Sequence, residues 1–344
     1  MRQQWLFWTV VLFAMTALST PVRAQDRLAA IVTKDKLSRA DRALIAAEVP
    51  ERVKAFASAE GSSKRRTRER DKIIKTARTP NATQAGLDAY VEACGEELGP
   101  LAGSDALATA LDAANILIEL DNANASAALT RGLQSKHAAV RYRAARGLQL
   151  LHSRLKGESG KCRDALRALG QAGAVEQNEI VLKKIYEAVN FCTEIPGFAE
   201  ADASGKALNT IFDRRIGRLA SGGRNELADE PGFEAVAACY PSASKGTQRE
   251  LAQNMAFLLA HGIDRYFDES TTEEYRPTLA RLIKKGDDVV RDMIRASNQE
   301  APEQRVGDLI ASKSALSAKK PVVEQALADL ISVLRGDPWN ISAP

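Results

Sequence analysis

The chain has 344 residues, 48 Lys and Arg against 44 Asp and Glu, four Cys and three His. Its apolar fraction of 45% is enough for a buried core, which excludes wholesale disorder. A formal charge of +4 spread over this length excludes a globally basic nucleic-acid binder. The first 24 residues read as a secretory leader: Arg2 is the positive end, Trp5 to Leu18 is an apolar run, and Val22-Arg23-Ala24 places cleavage before Gln25. That run is shorter than a spanning helix needs, and no other stretch approaches that length. The expectation is an exported protein, periplasmic or extracellular in a bacterium. Without the leader, 46 basic and 44 acidic residues remain, and Trp339 becomes the only Trp. A chain this poor in aromatics is ill suited to clefts that stack sugars or bases.

The rest is rich in Ala, Leu, Arg, Glu and Lys, strong helix formers, and predicts helices almost throughout. Residues 25–80 form an N-terminal helical or linker region; 52–78 reads either as one long helix interrupted near Gly61-Ser62-Ser63 or as a mobile linker. Leu107, Leu111, Ala114 and Ile118 follow a helical stripe behind Ser104 as a cap. Val140, Ala144, Leu148 and Leu151 form a second stripe, and Val181, Ile185, Ala188 and Cys192 a third. Leu251, Met255 and Leu258 sit behind a Thr247/Glu250 capping pair, and Val323, Leu327, Leu330 and Leu334 follow Pro321. Shorter helical pieces fall near 125–134, 161–170 and 206–220. Residues 201–335 read as a less regular helical region and 336–344 as a tail.

Segments starting near 104, 135 and 178 bracket the repeat length of stacked helix pairs. The stretch Ser135 to Leu148, with Val140-Arg141 followed by Ala144, Ala145 and Leu148, resembles the first helix of a HEAT-type repeat. The Asp that often precedes Val-Arg in that family is absent. The resemblance covers about 81–200 and implies an all-α, HEAT-like solenoid of antiparallel helix pairs. It also implies that Arg141 supports packing between repeats. Arg143 and Arg146, on a more outward arc, are the candidate contact residues.

Charge is segregated along the chain. Lys64 to Arg78 carries eight basic and two acidic residues, Thr79 to Thr130 eight carboxylates and no cation, and Arg131 to Arg167 ten basic and two acidic. Such blocks pair with one another when helices stack, or steer an oppositely charged partner. The four cysteines of an exported chain suggest two disulfides, with Cys162–Cys192 the favoured pair and Cys94–Cys239 the remainder. His137 reads as a helix-start residue, His152 as a surface residue and His261 as a residue at a helix C-terminus before Gly262. No zinc, nucleotide or nucleophile motif is present, so no metal, cofactor or catalytic residue is expected. Adjacent carboxylates such as Asp268-Glu269 and Asp287-Asp288 read as solvated helix-end charges. The expected role is a non-enzymatic binding or scaffold protein that holds a protein or anionic polymer. The alternatives are an envelope-polymer hydrolase with carboxylates assembled by the fold, and a self-associating envelope component.

Overall fold

The computed structural model describes residues 24–59, 62–222, 226–342 and 344. Apart from Ala24, the expected leader lies outside them. Among the described residues there are seventeen α-helices and no strand, so the protein is all-α. No described helix is long and apolar enough to cross a membrane.

The chain divides into two compact units, Met1–Leu98 and Gly99–Pro344. The first contains α1 (Ala24–Val32), α2 (Arg39–Ala57), α3 (Ser63–Ala77) and most of α4 (Gln84–Ala102). The interruption expected near Gly61-Ser62-Ser63 separates α2, which ends at Ala57, from α3, which starts at Ser63. Ser38 caps α2, its hydroxyl accepting from the Asp41 amide while the Asp41 carboxylate accepts from the Ser38 amide, a reciprocal capping box. Val49, Val53 and Phe56 of α2 are buried, as are Ile73 and Ile74 of α3 and Tyr90, Val91 and Cys94 of α4. The Tyr90 hydroxyl donates to the Ile73 carbonyl at 2.9 Å, which satisfies the one polar atom of a fully buried ring. Gly86 lets α4 start against the end of α1: a Cβ there would lie 2.4 Å from the Val32 carbonyl oxygen.

The second unit arranges its principal helices in two rows. One row is α5 (Leu107–Glu119), α7 (Ala138–Leu150), α10 (Glu179–Val189), α13 (Glu230–Cys239) and α15 (Arg276–Ala296), each packed on the next. The other is α6 (Ser126–Gly132), α9 (Ser159–Val175), α12 (Ala201–Ala220), α14 (Lys245–Phe267) and α17 (Leu316–Arg335), packed likewise. Short helices α8 (His152–Leu155), α11 (Phe191–Glu194) and α16 (Val306–Ala311) lie between.

The expected stripes of α7 and α14 are buried. That of α5 is rotated: Ala110, Ala113, Ala114 and Leu117 are buried, whereas Leu107 is exposed and Leu111 and Ile118 are partly so. Alanines set this face because they let α7 come close. A Cβ at Gly147 would lie 2.7 Å from Ile118 Cγ1. The cap of α5 is Ala106 and not Ser104, and that of α14 is Ser244, whose hydroxyl accepts from the Thr247 amide. Residues 336–342 are not a free tail. Trp339 is buried and its Nε1 donates to the Tyr240 hydroxyl at 2.6 Å. Ile341 is buried too, and the Gln253 side chain bonds both the amide and the carbonyl of Ser342.

Candidate functional site

The Arg-rich helix α7 begins after His137, whose ring nitrogen Nε2 lies 2.9 Å from the Asp105 carbonyl. Val140, Ala144, Ala145 and Leu148 fix its buried side, which turns the arginines outward by elimination. Arg141 is consumed by packing. Its Nε and Nη2 donate to both Glu176 oxygens at 2.7 and 2.8 Å, and its Nη1 donates to the Ser135 carbonyl at 2.9 Å. This fork joins the turn before α7 to the turn after α9. Burial raises the Glu176 pKa, but Arg141 and the amides of Asn178 and Gln177 outweigh it and hold the carboxyl below its ordinary value.

Arg143 is half-buried, its Nε donating to Asn115 Oδ1 of α5. Arg146 is exposed, about 4.5 Å further along the axis. The structure thus places both on one helix, one of them steadied by a neighbour. Around them the opposite blocks of the sequence meet: Arg154 pairs with Asp121 at 2.6 Å and Lys136 with Asp105 at 2.7 Å. These pairs are exposed, so each contributes little to stability.

Buried polar locks continue along the rows. Arg215 donates to both oxygens of Asp229 at 3.1 and 3.0 Å, and the Tyr186 hydroxyl donates to the same carboxylate at 3.0 Å. Arg218 donates from Nη1 to the Glu176 carbonyl at 2.7 Å, while its Nε and Nη2 are buried without a hydrogen-bond partner among the described residues. Burial, reinforced by Arg215, lowers the Arg218 pKa. On α15, Asp287 is not a solvated helix-end charge. It is fully buried, accepts from Arg291 Nε at 2.9 Å and from the Gly307 amide at 3.2 Å, and burial raises its pKa. Arg291 also donates to the carbonyls of Pro302 and Gln304. Sequence reasoning missed these groups. The Asp287/Arg291 spacing of four was visible, but nothing local said that the pair was buried.

The cysteines are not bridged as expected. Cys94, Cys162, Cys192 and Cys239 are all free thiols, so neither Cys162–Cys192 nor Cys94–Cys239 is bridged. Three are buried, and Cys192 is half-exposed at the start of α11 rather than at the end of the α10 stripe. Burial pushes Cys94 and Cys162 up to about 12 and Cys192 to about 11, and raises Cys239 also. Thiols so weakly acidic are poor nucleophiles near neutral pH. His152 is not a surface residue: it is buried, with only 2% of its surface exposed. His261 does not end its helix, since α14 runs through Gly262 to Phe267.

A shallow apolar groove lies between α12 and α14. Ile216, Leu219 and Phe257 line it, with His261 and Asp264 on one wall and Pro344 at its margin. Burial raises the Asp264 pKa against the opposing pull of His261. Among the described residues no group of His, Cys, Asp and Glu side chains is placed to hold a metal ion. No protein-family model, curated protein or solved structure matches the chain.

Proposed function

We propose that this is an exported, non-enzymatic scaffold whose stacked helix pairs form a HEAT-like surface for an anionic protein or polymer. The two rows of the second unit support the repeat reading, and so do the bonds between successive pairs. Those bonds recur at sequence separations from 28 residues for Arg143 to Asn115 to 51 for Arg281 to Glu230. The observation that carries the binding assignment is the α7 pair: Arg143, held by Asn115, beside exposed Arg146. A guanidinium steadied before binding loses less side-chain freedom when a carboxylate or phosphate docks.

Crosslinked retrieval from the native envelope tests this. The wild-type chain is expected to retain a partner at low salt and to lose most of it near 1 M, where the screening length is about 3 Å. Arg143→Glu with Arg146→Glu is expected to abolish retrieval at both salts. Full retrieval by that double variant would sink the assignment.

One observation favours a second reading, an envelope-polymer hydrolase: the groove with Asp264 beside His261. A carboxyl raised by burial is a candidate general acid. Hydrolysis of an envelope polymer by the wild type, lost in Asp264→Asn and kept in Arg143→Glu/Arg146→Glu, would replace the scaffold assignment.

A further inference from the structure

The first unit carries two surfaces of opposite net sign, a basic stripe on α3, in which the one carboxylate, Asp71, is already held by Arg70, and an acidic-rimmed cleft. On α3, Ile73, Ile74 and Thr76 take the buried side. Lys64, Arg68 and Lys75 are exposed and fall within about 40° of one another around the helix. They make no ion pair among the described residues. Arg70 and Lys72, by contrast, are engaged by Asp71 and Glu69. The second surface is a cleft between α2 and α4. Its floor is apolar, from Ile45, Ala89 and Ala93, and its rim carries Glu92, Glu96 and Glu97 against a single cation, Arg42.

We propose that copies of this chain associate head to tail, with α3 of one copy laid in the α2–α4 cleft of the next. Charge complementarity selects this occupant. Lys64 and Arg68 are four residues apart, as are Glu92 and Glu96, so each pair spans about 6 Å along its helix and the two sets can meet in register. The methylene stems of Lys and Arg suit an apolar floor while their charges reach an acidic rim. The two surfaces are different patches of one molecule. The contact is therefore heterologous, and it grows a chain unless the rotation closes a ring. This leaves Arg143 and Arg146 in the second unit unused, so it adds to the proposed binding role and does not depend on it.

The test is sedimentation of the full exported chain at rising concentration, at low ionic strength and near 1 M salt. Wild type is expected to exceed the monomer mass at least twofold at low ionic strength and to return to monomer at high salt. Lys64→Glu/Arg68→Glu removes the helix surface and Glu92→Lys/Glu96→Lys removes the cleft, so each double variant is expected to stay monomeric. All four positions are exposed, and circular dichroism verifies that the variants are folded. In an equimolar mixture the wild-type helix of one variant meets the wild-type cleft of the other and the two reversed surfaces are complementary as well, so the mixture is expected to associate again. Arg143→Glu/Arg146→Glu is expected to associate like wild type. A wild type that stays monomeric at low ionic strength overturns the proposal. So does a mixture that does not associate, or an α3 that captures an anionic polymer with no rise in self-association.

Discussion

His152 shows how a single residue takes its meaning from the fold. Its Nδ1 lies 2.9 Å from Glu194 Oε2 and its Nε2 2.9 Å from the Ala188 carbonyl, and its ring lies against Phe191 with centroids 3.7 Å apart and the planes tilted by 31°. Burial lowers its pKa, and the Ala188 carbonyl and Glu194, which favour the charged ring, do not overcome it. The folded state therefore prefers the neutral imidazole more than the unfolded chain does. The associated stability is complete above the ordinary value of about 6.5 and declines as pH falls toward the lower folded value. The urea midpoint of the wild type is expected to drop as pH is taken from about 7 to about 5. His152→Gln is expected to start lower and to lose less over the same range. An equal loss in both proteins would remove His152 from the account. None of this was legible in the sequence, because the groups that bond the ring lie 36 and 42 positions away. Arg141 was legible, since the Val-Arg pattern implies a packing role whatever its partner.

At the scale of elements, helix content and most buried faces followed from periodicity, and the departures have one cause. Close approach of helices is set by small residues, which carry almost no signal in an apolar stripe. The expected α5 stripe gave weight to Leu107 and Leu111, whereas Ala110 and Ala113 are the buried residues. The contact between α9 and α12 depends on the same device. A Cβ at Gly170 would lie 3.0 Å from the Cα of Ala207, and one at Gly173 2.7 Å from Ile211 Cγ1. At Gly173 the obstacle is a side chain that can change rotamer; at Gly170 it is helix backbone, which cannot move alone. Gly170→Val is therefore expected to force the two helices apart and to destabilise the unit by about 1–3 kcal/mol. The measurement is the urea midpoint at unchanged slope. Valine accommodated there without loss would mean that α9 and α12 are less closely packed than described.

At the scale of the molecule, the acidic and basic blocks prove to be partly each other's partners in the second unit, through Arg154–Asp121 and Lys136–Asp105. In the first unit Lys64, Arg68 and Lys75 of α3 make no ion pair among the described residues, and that difference motivates the proposed assembly. The division of the chain inside α4 had no signature in the sequence, because a continuous helix passes through it. Docking of the C-terminal segment was equally hidden. Its anchors are one Trp and one Ile among turn-forming residues, and the Tyr240 that receives the Trp is 99 positions away. The row arrangement makes a demand that a single globular core does not. If stability is passed between neighbouring helices, local damage should stay local. Arg291 offers the cleanest lesion, since Arg291→Ala leaves Asp287 as an unpaired charge in full burial, a loss of about 3–5 kcal/mol. Hydrogen exchange under native conditions is expected to show protection falling in α14 to α17 while α5, α6 and α7 keep theirs. A uniform fall from α5 to α17 would instead show one cooperative core, and the proposed stacking of helix pairs would go with it.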